Sequence, residues 1–426
     1  MLVVFDRDLS RRDALKLAVA TGGATALSAC LSEADEPVPR GSPSDDLPTG
    51  QHRWNDFLAT DDAGNHELPR HHVFLSLSLG RDGAPTRADR AVVESAMGTL
   101  DRAYEWSHEG VLSSLAYTPA YFARYDAELR YPLPDPRPLS SFETPELDTQ
   151  DALLHLASDR PDALLEAEQA LVGERDVMNG LDVETPLSDA LSVVDRRTGF
   201  MGAGMPAERQ GEVSGIPRGG PVPTESPLFM GFKAGFRRNQ ATEAAVSIED
   251  GPFAGGTTKH LSTIRQRLDD WYEEQDFEEQ VMEMFSPLHA ERGLVEGTGE
   301  NLGDFSGVDE EVVSTIREQA REYGRVGHAQ KAARANRDTD GRPLLLRRHV
   351  ESTDDGEASL HFPTLQRDIA SFEAVREAMN GADLTDVPTI RQRVNNGILE
   401  YIFVIRRGNY LVPPRSLRAL PTPTGA

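Results

Sequence analysis

The segment HHVFLSLSLG, His71 to Gly80, alternates apolar and polar side chains, the two-residue period of a half-buried strand. The segments after it constrain the fold more than the strand alone does. RADRAVVESAMGTLDRAYEW has helical spacing, VLSSLAYT and DALLHLASD are strand-like, and PDALLEAEQALVGE is helical again. Strand, helix, strand, strand, helix is the order of a ferredoxin-like unit. Residues 201–227, MGAGMPAERQGEVSGIPRGGPVPTESP, are loaded with Gly and Pro and read as a connection. Beyond them the element order recurs coarsely, with no close repeat of sequence. GGTTKHLSTIRQRLDDWYEEQDFEEQVMEMF predicts a long amphipathic helix with Leu261, Ile264, Leu268, Trp271 and Tyr272 on one face. PLLLRRHV, ASLHF and ILEYIFVIRRGNYLVPP read as strands, with ASFEAVREAM as a helix between the last two. The predicted class is α+β: two ferredoxin-like halves with antiparallel sheets.

The N-terminus has another character. SRRDALKLAVATGGATALSAC carries Arg11 and Arg12 ahead of a weakly apolar stretch and resembles a twin-arginine export signal. That stretch is too short and too rich in small residues for a good membrane span. The LSAC ending at Cys30 resembles a lipoprotein cleavage box, and Cys30 is the single cysteine, so no internal disulfide can form. The expectation is a protein exported by the twin-arginine pathway and tethered by a lipid on Cys30 to the extracellular face of the cell membrane. Residues 31 to about 70 are rich in Pro, Gly, Ser and acid without an apolar period, as in a solvated linker. The chain thus divides into a signal (1–30), a linker (31–70), two halves (71–225 and 226–416) and a tail (417–426).

Charge narrows the partners. Seventy Asp and Glu face 44 Lys and Arg, a formal charge of −26, and only four of the cations are lysines. A nucleic-acid-binding chain shows the opposite balance. At ~1 M salt the Debye length is only ~3 Å, so such a surface repels itself little there. Abundant carboxylates with scarce lysine resemble the composition of haloarchaeal proteins.

Several chemistries lack their motifs. There is no G-x-S-x-G, no Walker-type loop and no H-E-x-x-H, and one cysteine cannot build a thiolate metal site. The histidines and the arginine-bearing strands remain. In VGHAQKAARANRDTDGRPLLLRRHV, His328 precedes a strand ending in Arg347 and Arg348. Strand alternation predicts that one of these arginines faces a covered interior and the other faces out. A buried guanidinium needs an anion or a developing oxyanion as partner.

From about His71 to Pro414 the chain resembles the dye-decolourising (DyP-type) peroxidases, a family of haem proteins that fold as two ferredoxin-like halves, a dimeric α+β barrel. GHAQKAARANR is similar to the family's segment for the proximal haem histidine, and PLLLRRHV to its distal arginine strand. LHFPTLQRDIASFEAV, RRGNYLVPP, GGTTKHLSTIRQRLDDW and DALLHLASDRPDAL resemble four further segments in the same order. The resemblance implies haem b, with His328 as the ligand of the haem iron and Arg347 as the distal catalytic residue that polarises hydrogen peroxide. It makes Asp368 a candidate acceptor for the other ring nitrogen of His328, with a surface acid as the alternative. Arg348 is left to face a propionate or solvent. An unidentified reductant is implied, and a homo-oligomer stays open.

One departure matters. The family's G-x-x-D-G signature corresponds to GFKAG here, with Gly231 and Gly235 retained and Ala234 in place of the proton-shuttling aspartate. Both glycines count as cofactor-contacting positions, where backbone approaches closely. Alanine moves no proton, and general acid–base help is typically worth ~10²- to 10⁴-fold. Glu243 and Asp250 are nearby acids, both expected to be solvated. Two readings therefore compete: a working haem peroxidase, and a catalytically weak haem-binding surface lipoprotein serving haem capture, sensing or iron handling.

Overall fold

A computed structural model describes residues 37–425. Arg11, Arg12 and Cys30, with the export and lipidation readings they carry, lie outside the described residues. No helix among the described residues is long and apolar enough to cross a membrane.

The first half runs β1 (His71–Leu79), α1 (Arg87–Ala103), β2 (Leu112–Tyr117), β3 (Ala152–Ser158), α2 (Pro161–Leu171) and β4 (Leu191–Phe200). Its strands pair in the order β4-β1-β3-β2, all antiparallel. Thr86 starts α1 with a reciprocal cap: its hydroxyl accepts from Asp89 N, and Asp89 accepts from Thr86 N. The β1 strand is buried on both faces, not half-buried as its alternation suggested. Val73, Leu75 and Leu77 pack under α1 and α2, while Phe74 turns the other way toward Tyr410 and Val412.

The second half runs β5 (Thr257–Gln266), α3 (Phe277–Met284), α4 (Ile316–Tyr323), α5 (His328–Ala335), β6 (Leu346–Arg347), β7 (Val350–Ser352), β8 (Ser359–Gln366), α6 (Ile369–Met379) and β9 (Ile402–Val412). Its strands repeat the order of the first half, β9-β5-β8-β7. Each half supplies one edge to the other. Glu351 of β7 pairs with Phe200 of β4, and Leu411 of β9 pairs with Tyr117 of β2. The strand pairings therefore close into a ring of eight. The α+β class and the two ferredoxin-like halves match the expectation.

Three expectations are corrected. The long amphipathic helix is replaced at its start by β5, and helix begins only at Asp269. Leu261 and Ile264 satisfy a helical period but sit in a segment dense in Thr and β-branched side chains, and β8 and β9 bind it from both sides. The described part of the supposed linker, from residue 37, packs on the body. Trp54 is 1% exposed, and a short hairpin pairs Ala59–Thr60 with His66–Glu67. Gln51 Nε2 donates to Leu115 O at 3.1 Å and to Pro413 O at 2.9 Å, so this arm staples β2 to the end of β9. The expected tail is also docked: Arg418 and Leu420 are fully buried, and Arg418 pairs with Asp101 of α1 at 2.7 Å.

Candidate functional site

A cavity of about 450 Å³ lies between the β5–β8 face and helices α5 and α6. Strand alternation explains what β5 contributes. Lys259 and Leu261 point into the ring, whereas Ser262, Ile264 and Gln266 line the cavity. Phe232, Phe285, Phe362 and Phe372 make much of the wall apolar.

His328 opens α5 and faces this cavity. Two glycines let the chain fold tightly there. A Cβ on Gly327 would sit 1.9 Å from Phe285 O, and Gly397, at φ +59°, would place one 3.0 Å from His328 N. One turn on, Lys331 Nζ donates to Met379 O at 3.0 Å and to Asn396 O and Oδ1 at 2.8 and 2.7 Å, tying α5 to the end of α6. Burial first, then the charge of Lys331, pushes the His328 imidazole down to about 3. The ring is neutral at physiological pH. It makes no hydrogen bond among the described residues, so a nitrogen lone pair is available.

Arg347 lines the same cavity from the strand side. Its backbone N and its Nε both reach Gln240 Oε1, at 3.1 and 3.3 Å, and Gln240 Nε2 donates back to Arg347 O at 3.1 Å. Its terminal guanidinium nitrogens have no partner among the described residues. Burial lowers the group to about 10, which leaves it charged at neutral pH. Arg337 also lines the cavity without a hydrogen bond among the described residues. Three kinds of group thus meet: a free neutral imidazole, unpaired guanidinium donors and apolar walls. The volume falls in the ~300–1,000 Å³ range of cofactor pockets. This donor set fits haem, an apolar disc with an iron to ligate and two carboxylates to neutralise.

Other expectations fare differently. Gly231 and Gly235 have φ of +87° and +83°, so backbone conformation requires glycine at both. Gly235 lines the cavity beside Ala234, and a Cβ on it would meet nothing within 4 Å. Close approach of protein atoms is therefore not its reason for being glycine. Asp368 caps α6, accepting from Ser371 N at 2.8 Å and from its hydroxyl at 3.0 Å, and is not part of the cavity wall. As a helix cap it does not orient His328. Arg348 does not face out. It is buried against Glu243 at 2.5 Å, with its guanidinium 4.7 Å over the Trp54 ring. Glu243 is accordingly not solvated, since it also accepts from Trp54 N at 2.6 Å and Asn55 N at 2.9 Å.

Two cavity residues were missed. Leu346 faces Leu365 and Arg347 faces Thr364, while Val350 faces His361, so the register continues unbroken from β6 to β7. Arg347, His349 and Glu351 therefore share a face, and all three line the cavity. The two-residue period starting at Arg347 was the available signal. Burial raises Glu351 to about 8, although it accepts from Phe229 N at 2.8 Å and Gln266 Nε2 at 2.5 Å. A second cavity of about 560 Å³, walled partly by the N-terminal arm, shares Lys233, Ala234, Gly235, Arg347 and His349 with the first.

The closed ring with its flanking helices is similar in fold to solved DyP-type structures. The encapsulated DyP-type peroxidase from Mycobacterium smegmatis is 18% identical, with a TM-score of 0.54 over 86% of this chain and 99% of that one. A Rhodococcus jostii RHA1 DypB variant in complex with heme is 16% identical, with a TM-score of 0.54 over 89% and 99%. A dye-decolorizing protein from V. cholerae is 13% identical, with a TM-score of 0.52 over 86% and 98%. Residues 69–414 match DUF7405, a family of unknown function, and the chain belongs to that family. No curated protein matches it.

Proposed function

We propose that this chain is an exported haem-dependent peroxidase-like protein that oxidises a substrate with hydrogen peroxide. The meeting of His328 and Arg347 in one largely apolar cavity carries the reading. Haem, when bound, supplies the redox chemistry that none of these side chains can. His328 is the residue to ligate the iron, because its imidazole is neutral and its ring is free. Arg337 offers a cation to a propionate, and the phenylalanine walls keep water from the ring. Arg347, fixed by Gln240, holds hydrogen-bond donors and positive charge where a peroxide would be polarised. The sole cysteine, Cys30, cannot form a pair of covalent haem links, which favours non-covalent haem b.

Arg11, Arg12 and the LSAC at Cys30 support export and a lipid tether on the extracellular face of the membrane. The acid-rich, lysine-poor composition supports a high-salt setting. An external reductant completes turnover. Ala234 favours a second reading, haem capture, sensing or iron handling with little turnover, because no acid occupies that position.

The test is an absorption spectrum of the signal-free protein in high salt, titrated with haem. A sharp Soret band that is lost in His328→Ala is expected, and peroxide turnover then separates the two readings. Absence of a Soret band under every loading condition refutes both.

A further inference from the structure

We propose that His349 is the proton-accepting residue of this cavity, doing from the strand side what an acid at position 234 would do from the glycine loop. The proposal rests on the haem reading above. It starts from the wall shared by the two cavities, which comprises Lys233, Ala234, Gly235, Arg347 and His349. Of these, Ala234 and Gly235 have no proton to move. Lys233 is tied to Asp61 at 2.7 Å and Glu300 at 2.6 Å. Arg347 keeps its proton. His349 alone in this wall combines a lone pair with freedom from any partner among the described residues.

The geometry supports it. His349 lies two residues after Arg347 on the same face, across from Phe362, and its ring stacks on that phenyl at 5.9 Å with 26° between planes. The stack fixes the ring plane while leaving the nitrogens uncommitted. The residue is 6% exposed, its Nδ1 is buried without a hydrogen-bond partner, and neither nitrogen bonds to a described residue. An unpaired polar atom at that depth is costly, and a ligand in the cavity relieves the cost. Rival bases are engaged elsewhere. Both oxygens of Glu351 accept protein hydrogen bonds, and Glu243 is locked to Arg348.

The chemistry is a proton transfer. Hydrogen peroxide, or HCN as its probe, loses a proton to the imidazole. One O–H or C–H bond breaks, one N–H bond forms, and the resulting anion is held by the charge of Arg347. Burial first, then the Arg347 charge, pushes the resting ring down to about 3, so it rests neutral and weakly basic. An arriving anion offsets the charge of Arg347 and makes the ring more basic.

Cyanide association with the haem-loaded full chain tests this without turnover, read as a Soret shift in stopped flow. His349→Leu is expected to slow association by ~10²- to 10⁴-fold, the usual worth of a positioned base. His349→Gln, which keeps polarity and shape without basicity, is expected to slow it likewise. Adding Ala234→Asp to either variant should recover much of the rate. Haem-loaded variants that bind cyanide at the wild-type rate overturn the proposal and leave the haem reading intact. A wild-type chain that forms no Soret band overturns both. If His349→Leu does not fold, His349→Gln decides the matter.

Discussion

Gln240 and Arg347 are joined by three hydrogen bonds, two from the arginine to the amide oxygen and one from the amide nitrogen back to Arg347 O. One amide thus fixes both backbone and side chain of the cation that faces His328. Gln240→Leu removes the clamp and keeps Arg347. Misplacement by ~1 Å can cost ~10²-fold in rate. Peroxide turnover is expected to fall by ~10- to 100-fold while haem stoichiometry from the Soret titration stays unchanged.

Gly397 packs on the backbone of His328 from a left-handed conformation, φ +59°, where an added Cβ would lie only 3.0 Å from His328 N. Gly397→Ala adds strain of about 1–3 kcal/mol and pushes on the N-terminus of α5. Urea unfolding should show that loss, and the Soret band should broaden or shift as the ring of His328 moves.

Glu351 gives the stability a pH slope. Its carboxyl is raised from the ordinary 4.5 to about 8, chiefly by burial. Between those two values the folded chain binds a proton that the unfolded chain has released. Stability therefore falls as pH rises through this window, at up to about 1.4 kcal/mol per pH unit. Glu351→Gln, neutral at every pH, should flatten the slope in denaturant melts collected from pH 5 to 8.

Gln51 bridges one seam of the ring with three hydrogen bonds, to Leu115 N and O and to Pro413 O. Gln51→Ala leaves buried backbone groups unsatisfied at about 1–3 kcal/mol each. The melting temperature should drop, and amide hydrogen exchange should rise first at β2 and the end of β9.

Ala234→Asp places a carboxyl in the wall that both cavities share. Because His349 already serves as proton acceptor, peroxide consumption by the haem-loaded protein is expected to change little, and a rise of ~10²-fold or more would show that the missing acid limits turnover. An unchanged rate would show that another group already moves the proton.

Much of the fold and site was legible where a segment's period and its packing agree. The strand of β1 and the helix after it come from local periods, whereas His328 and Arg347 were singled out by the resemblance of their two segments to a known family. The failures share a cause. The segment from Leu261 through Ile264 to Leu268 satisfies a helical period, yet the state of β5 is decided by strands β8 and β9, each roughly a hundred or more residues away. The arm around Gln51 and Trp54 reads as solvated because its anchors are scattered without a period: the Gln51 amide on Leu115 and Pro413, Trp54 N on Glu243, and the Trp54 ring against Trp106, Leu112 and Ala157. Asp368 lies in a segment similar to one of the family's, and only the structure shows it spent on the first turn of α6.

The ring is built from two arcs of equal strand order, but its chemistry has no such symmetry. The outer face of the first arc is filled by α1 and α2 around Val73, Leu75 and Leu77. The matching face of the second arc is left hollow, with His328, Arg347 and His349 around the void. One arc is a buttress and the other a hearth. Substitutions in the first arc reach the second through the ring interior, where Phe74 meets Tyr410 and Val412, and through the two narrow joints at Phe200–Glu351 and Tyr117–Leu411. Glu351 stands at a joint and in the cavity wall at once, so it is the residue through which a distortion of the buttress would first be felt at the hearth.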